Sequence, residues 1–513
     1  MRTNGIIQLA PIVRILIFLV MGIWIGSKIS VFIPFVVWPI SIFILVVIAF
    51  SIKQKPIWVS NIISGIVFLL GCFVFAANEI NSKQQLNNEF AEYKSVVSSR
   101  ITEKGKTIRC DLIIVEINNK RLEKPFKIKA SIMKDTIYNN WKKLKIGNGI
   151  SHYSFLELPK QYNNNSNFNY PLWMKCHGYK AQTFIPYNKW GFDTVYTNNI
   201  SRIDIARIGS QIIIDNFFYK YIQPIGLVGS DSKNGLSILT AMTLGNKTNI
   251  DKEMNDRYSI AGASHILALS GLHLGIIFSI ISLIFGKNRR RNIAVQAIMM
   301  AIIWIYTIMV GMPTSIIRAA TMLSIYSIIG LACRQRMSLN IFAFTAFIML
   351  IVNPLLLWDI SFQLSFLAVA SILIFNNDIL KAYTPHTKIG KYIWESISIS
   401  IAAQIGTAPI IIYYFERFSC YFAATNLVII PLSTIIIAGA AIAWILTIIY
   451  PSFAIMFLPL AYIANIMDKF VEWISKLPYA SIENIKTDYK TVVAYYLILF
   501  ILIFVINRKK FRR

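Results

Sequence analysis

The feature that most constrains this chain is a series of apolar stretches, each close to the length that a bilayer demands. Three lie near the start, at about 12–25, 31–50 and 57–77. About nine more fill the second half, at 265–285, 292–311, 314–332, 338–353, 357–375, 391–413, 426–448, 452–468 and 491–507. A helix crosses the hydrocarbon with about 20 residues, so the pattern predicts a polytopic α-helical membrane protein of about twelve transmembrane helices. Composition agrees: 56% of the 513 residues are hydrophobic and 15% charged, against roughly 25% charged in soluble domains. Two further spans follow the first apolar segment at once, and it lacks a cleavage-like site. It therefore reads as a retained helix and not as a signal peptide.

Charge orients the spans. Lys53 and Lys55, Lys287 with Arg289 to Arg291, Arg334 and Arg336, and Lys381, Lys388 and Lys391 all lie in short connections, and the tail from Arg508 is basic too. An N-terminus on the cytoplasmic side puts all of them there, as the positive-inside rule requires. Residues 78–229 then fall outside, and both termini inside a bacterial inner membrane. The expected organisation is a three-helix membrane segment over 1–77, an extracytoplasmic domain over 78–202, amphipathic or interfacial helices over 203–258, and a membrane domain over 259–513. The net charge is +27, from 51 Lys and Arg against 24 Asp and Glu. Such an excess suits an anionic partner, either membrane lipid or nucleic acid, although part of it merely sets topology.

The outer region reads as β. Thr107–Ile117, 125–133, 150–158 and 180–185 are extended runs, the third preceded by a Gly147-Asn148-Gly149 turn. Four or five short strands in this length predict a small β-barrel resembling an OB-fold, a common platform for single-stranded nucleic acid. Tyr153, Tyr162, Phe168 and Tyr170 are candidate stacking residues; the alternative is a spacer with a solvated basic surface. Cys110 and Cys176 are the cysteines of this region. Whether they pair is left open; a bridge would close a loop worth about 4 kcal/mol in the chain-entropy account. Farther on, 203–222 has apolar residues at helical spacing and predicts an amphipathic helix along the membrane. The stretch 236–244 is apolar but too short to span, hence interfacial or re-entrant.

Polar groups inside the apolar half point to function, because each costs free energy unless paired or wetted. Read as one helix, 265–285 places His265, Ser270 and His273 within a sector of roughly 140°. Gly271 and Gly275 fall on the other side, at the GxxxG spacing of close helix packing. Arg318 lies about one turn into a span and should face water, a carboxylate or a phosphate, unless it snorkels to the interface. Gln363 and Gln404 lie in later spans, and Pro409 should free a backbone carbonyl. Together, His265, Ser270, His273, Arg318, Gln363 and Gln404 are candidates for a polar pathway, against ordinary interhelical hydrogen bonding for each alone. Ser270 with His273 also has the spacing of a nucleophile and base, but no carboxylate or third metal ligand stands near. No catalytic, metal or cofactor site is expected, and no ATP-binding loop occurs.

The block Ser264-His-Ile-Leu-Ala-Leu-Ser-Gly-Leu-His-Leu-Gly275 resembles the signature of the ComEC family, the inner-membrane DNA channels of natural transformation. The likeness extends through 239–246, 315–319, 353–369 (with Phe362-Gln-Leu-Ser-Phe366) and 403–415, to Asn426 and Pro431. It implies an outer OB-fold domain, a helical competence domain and passage of single-stranded DNA into the cytoplasm. A DNA receptor outside and a motor or strand-binding proteins inside are the implied partners. Many members end in a metallo-β-lactamase-like domain; no HxHxDH motif occurs here, so degradation of the other strand is expected of another protein. The rival expectations are a transporter of another anion or anionic polymer, and an intramembrane hydrolase using Ser270 and His273.

Overall fold

The computed structural model describes residues 11–30, 33–51, 56–82, 89–135, 139–161, 167–226, 232–286, 292–332 and 338–512. The apolar stretches become helices, since a backbone without water must close its own hydrogen bonds. The first group is α1 (Pro11–Ile29), α2 (Val37–Ser51) and α3 (Pro56–Ser82). Small residues set the α1–α3 approach. A Cβ at Gly71 would lie 2.6 Å from the Leu19 carbonyl oxygen, and one at Gly26 would lie 2.8 Å from the Cys72 Cα.

The outer region is a sheet of β1 (Ala91–Val97), β2 (Thr102–Lys104), β3 (Thr107–Ile117), β4 (Lys120–Met133), β5 (Gly149–Ser154), β6 (Leu156–Glu157), β7 (Tyr179–Ile185) and β8 (Trp190–Phe192). The strand order is β6-β7-β4-β3-β1-β5-β8, with β2 on β3. The β4–β7 pairing is parallel and the other ladders are antiparallel. The path ends at β6 and β8, so the outer region is an eight-stranded sheet that forms no closed barrel where a small OB-type barrel was expected. Alternation along β3 and β4 turns Ile108, Cys110, Leu112, Phe126, Ile128 and Ala130 into one core. His152 is buried in that core, with Nε2 3.1 Å from Ser95 Oγ and Nδ1 3.0 Å from Ser154 Oγ.

Helices α4 (Tyr170–Cys176) and α5 (Arg202–Phe217) join this sheet to the apolar half. Ile208 and Ile212 of α5 pack on Val96, Ile113 and Val115. The helix expected to lie along the membrane is therefore held on one side by the sheet. Arg100 Nη2 binds Asp215 at 2.8 Å. Cys110 and Cys176, whose pairing the sequence left open, both carry free, buried thiols in this structure. Cys110 belongs to the sheet core, while Cys176 Sγ donates to the Leu355 carbonyl at 3.1 Å.

The second half comprises α6 (Ser232–Leu244), α7 (Lys252–Ile260), α8 (Ser264–Leu267), α9 (Gly271–Phe285), α10 (Ile293–Met309), α11 (Thr314–Ala332), α12 (Ser338–Val352), α13 (Ile360–Ala382), α14 (Lys388–Phe415), α15 (Phe422–Ile449), α16 (Phe457–Ser475) and α17 (Tyr489–Arg512). Among the described residues, six helices are long and apolar enough to cross a membrane by length and composition. These are Pro11–Ile29, Trp58–Ile80, Ile360–Ala382, Lys388–Phe415, Phe422–Ile449 and Pro451–Ser475. Shorter apolar helices, such as Gly271–Phe285 and Tyr489–Ile503, occupy the other expected places. The short α6 is buried from Leu236 to Leu244. It packs on α16, where a Cβ at Gly235 would strike the Ala461 carbonyl oxygen.

Burial holds the His152 pKa near 3, against an ordinary 6.5. As pH falls, the unfolded chain takes up this proton first. Stabilisation is thus fully present above about pH 6.5 and is lost as pH falls toward 3. Between pH 7 and 5 the loss is roughly 2 kcal/mol. Thermal unfolding of His152→Gln should show a smaller acid shift than the natural protein; equal shifts would contradict this.

Candidate functional site

Pleating puts alternate side chains of β3, β4 and β7 on the face away from the core. Register then fixes rows across the three strands. Asp111 faces Lys129, which faces Gln182; Arg109 faces Ser131, which faces Phe184; and Lys127 faces Tyr179. This face floors a cavity of about 940 Å³. Its roof is the segment carrying Phe168, Tyr170 and Trp173, and Arg100 lies at its rim. Tyr170 and Trp173 stack with centroids 6.0 Å apart and planes at 16°, and Trp173 stacks again on Tyr179 at 6.1 Å. Lys129 Nζ sits over both Trp173 (5.0 Å) and Tyr179 (4.7 Å). Ammonium and guanidinium groups beside stacked rings suit a ligand that is both anionic and planar-ringed.

The cavity is seated on the helical half. Asn167 Nδ2 donates to the carbonyls of Tyr413 (2.9 Å) and Thr487 (3.3 Å), at the ends of α14 and before α17. Asn353 Nδ2 donates to the Cys176 carbonyl at 3.3 Å. The roof thus rests on the end of α14, the start of α17 and the segment that leads into α13, the helix of Gln363.

Of the expected stacking residues, Phe168 and Tyr170 line the cavity. Tyr153 stacks on Phe90 instead, at 5.8 Å, and Tyr162 lies outside the described residues. Sequence reasoning missed Trp173, Phe184, Arg109 and Lys129. The alternation Lys127-Ile-Lys129-Ala-Ser131 carried the signal for the floor.

The expected single helix over 265–285 is corrected: α8 and α9 are separated by extended residues around Ala268 and Ser270. Ser270 favours the N-cap, where its own N–H is free of the helix. That N–H points to His273 Nδ1 at 3.4 Å. His265, Ser270 and His273 therefore do not share a helical face. His265 is exposed, Ser270 half-buried and His273 fully buried. His273 Nδ1 is thus turned to the Ser270 backbone. Gly271 does pack closely, its Cβ position 3.3 Å from the Ala319 Cβ, whereas nothing lies within 4 Å of Gly275. The expected two-glycine packing face reduces to one.

Arg318 is buried. Its Nη1 donates to the Ser361 carbonyl at 3.0 Å, and its guanidinium lies 5.8 Å from the Phe366 ring centre. Close to Ser361 in the chain, buried Asp359 caps α13, its Oδ2 accepting from Phe362 N at 3.3 Å. Gln363 Nε2 donates to the Leu357 carbonyl at 2.9 Å, and Gln404 is half-buried on α14. A second polar cluster went unread in the sequence: Arg257 lies 3.6 Å from buried Asp468 and 3.5 Å from Glu472. An acidic residue at the end of the 452–468 apolar run was its signal.

Apolar helices around buried polar residues, with a sheet domain inserted after the third, define a polytopic membrane protein. A family model described as Competence protein matches residues 242–509, more than half of the chain, and the chain belongs to that family. It is 28% identical over 241 residues to ComE operon protein 3 of Bacillus subtilis (strain 168), covering 47% of this chain and 29% of that one. An uncharacterized protein of Aquifex aeolicus (strain VF5) is 28% identical over 165 residues, 32% of this chain and 37% of that one. The chain thus spans about a third of the length of the curated relatives it matches. No solved structure matches it.

Arg318→Ala should destabilise the detergent-solubilised protein by about 1–3 kcal/mol, by leaving the Ser361 carbonyl without its donor. An unchanged unfolding temperature in Arg318→Ala would instead mark a water-facing side chain.

Proposed function

We propose that this chain passes a single strand of DNA across the bacterial inner membrane during natural transformation. The observation that carries the reading is the basic, aromatic cavity seated on the ends of the apolar helices. A strand presents one phosphate per nucleotide and a stackable base, the two chemistries gathered around Lys129, Arg109, Tyr170 and Trp173. Membership of the Competence protein family supports it. Crossing about 30 Å of hydrocarbon then needs a wet or hydrogen-bonding lining. His265, Ser270, Gln363 and Gln404 are its nearest candidates, with His273 and Arg318 behind them.

On this reading the curled sheet is an OB-fold-like platform. β5 and β6 are nearly continuous, separated only by Phe155, yet they pair with β1 and β7 on opposite sides, as in a partly open barrel. About twelve helices cross the membrane, the shorter ones included, with both termini cytoplasmic and residues 78–229 outside. The divisions at 77, 202 and 258 follow from that topology. The protein works as a channel and not as an enzyme, taking strands from a receptor outside and passing them to a motor or strand-binding proteins within.

In a transformable host, deleting the gene should abolish transfer of labelled DNA into the cytoplasm while leaving surface binding intact. Normal transformation in the deletion strain would refute the proposal. In the purified full chain, Trp173→Ala should weaken binding of labelled oligo(dT) by about 1–3 kcal/mol, the cost of one stacking platform. Unchanged anisotropy titrations would remove this cavity from the path.

A further inference from the structure

We infer that Asp111 is a built-in competitor for the phosphates of the strand, and that it sets how firmly a strand is held in the cavity. The inference rests on the cavity being the strand's docking site. Asp111 stands on β3 directly opposite Lys129 of β4. Its Oδ1 lies 3.6 Å from Lys129 Nζ and its Oδ2 lies 3.2 Å from Lys127 Nζ. The Tyr179 hydroxyl donates to Oδ2 at 2.7 Å. A carboxylate and a phosphodiester both offer paired anionic oxygens, so they draw on the same donors. Asp111 occupies those donors on the cavity floor before any ligand arrives.

The lysines are not free to swing away. Each ammonium also lies over the Tyr179 ring, at 4.4 Å for Lys127 and 4.7 Å for Lys129. Burial tends to raise the Asp111 pKa, but Lys127, Lys129 and the Tyr179 hydroxyl more than reverse this and hold it below the ordinary value. The carboxylate is therefore charged at neutral pH. Two ammonium groups and one carboxylate leave a single surplus positive charge around Asp111, while the cavity lining adds Arg109 and the opposing carboxylate of Glu157. An unopposed pair of lysines would grip each phosphate more tightly. A site that hands a strand onward is served by a weaker hold, because bound lifetime follows the dissociation rate.

Asp111→Asn removes the charge, keeps the shape and leaves an oxygen to accept from Tyr179. The test uses the purified full chain in lipid nanodiscs and fluorescent oligo(dT), titrated by anisotropy over a series of KCl concentrations. Asp111→Asn should bind about five- to tenfold more tightly, as relief of one like-charge opposition permits. Its log–log salt slope should steepen by about 0.7, one further counterion released on a single strand. Adding Lys129→Gln to Asp111→Asn should cancel most of the gain, which separates competition from a change in folding. Equal or weaker binding by Asp111→Asn, with an unchanged slope while the natural protein binds, overturns the inference. A gain that survives Lys129→Gln overturns it too. If neither the natural protein nor the variant binds oligo(dT), the docking-site reading fails first and this inference falls with it.

Discussion

A polar group carried into an apolar helix bundle must find a partner there, and this constraint organises the helical half of the chain. Pro409 cannot donate to the Ile405 carbonyl, and the Tyr495 hydroxyl of α17 does so instead, at 3.0 Å. The Tyr496 hydroxyl donates to the next carbonyl, Gly406, at 2.7 Å. The Leu269 carbonyl, released where α8 gives way to α9, accepts from Ser315 Oγ at 2.5 Å. Arg318 serves the Ser361 carbonyl near the start of α13. Each irregularity is thus answered by a side chain from another helix, so α9, α11, α13, α14 and α17 are tied through their least helical points.

The same economy joins the two halves. Asn167, Asn353 and Cys176 spend their hydrogen bonds on backbone carbonyls across the junction. On the same face of the sheet as the cavity, Arg100 binds Asp215 and reaches the Leu244 carbonyl at 3.3 Å. The aromatic roof of the cavity is consequently fixed relative to the helix ends. Under the proposed function, a base stacked on Tyr170 and Trp173 would lie beside these helix ends.

Much of this architecture was legible in the sequence because its causes are local. Apolar runs of bilayer length became helices, and Thr107–Ile117 became β3 with those bounds. Alternation in 125–133 and 150–158 marked β4, β5 and β6. What escaped depends on contacts far apart in the chain. The break after Leu267 is invisible to apolar periodicity, since Ala268 and Leu269 suit a helix as well as a strand. Ser270 was read as part of a polar face when its backbone role as N-cap was the stronger one. Cys110 and Cys176 share a region but belong to separate cores. The floor of the cavity needed the β3–β4–β7 register, which no single strand contains.

The central claim is that one path runs from the cavity roof into the broken-helix region of the bundle. Site-specific photocrosslinking in cells importing labelled DNA tests it most directly, with the crosslinker placed in turn at 173, at 265 and at the lipid-facing position 283. The account predicts DNA adducts at 173 and 265 and none at 283, where Leu283 is 73% exposed on the apolar surface. Import that proceeds with no adduct at 173 or 265, or with adducts equally at 283, would contradict it.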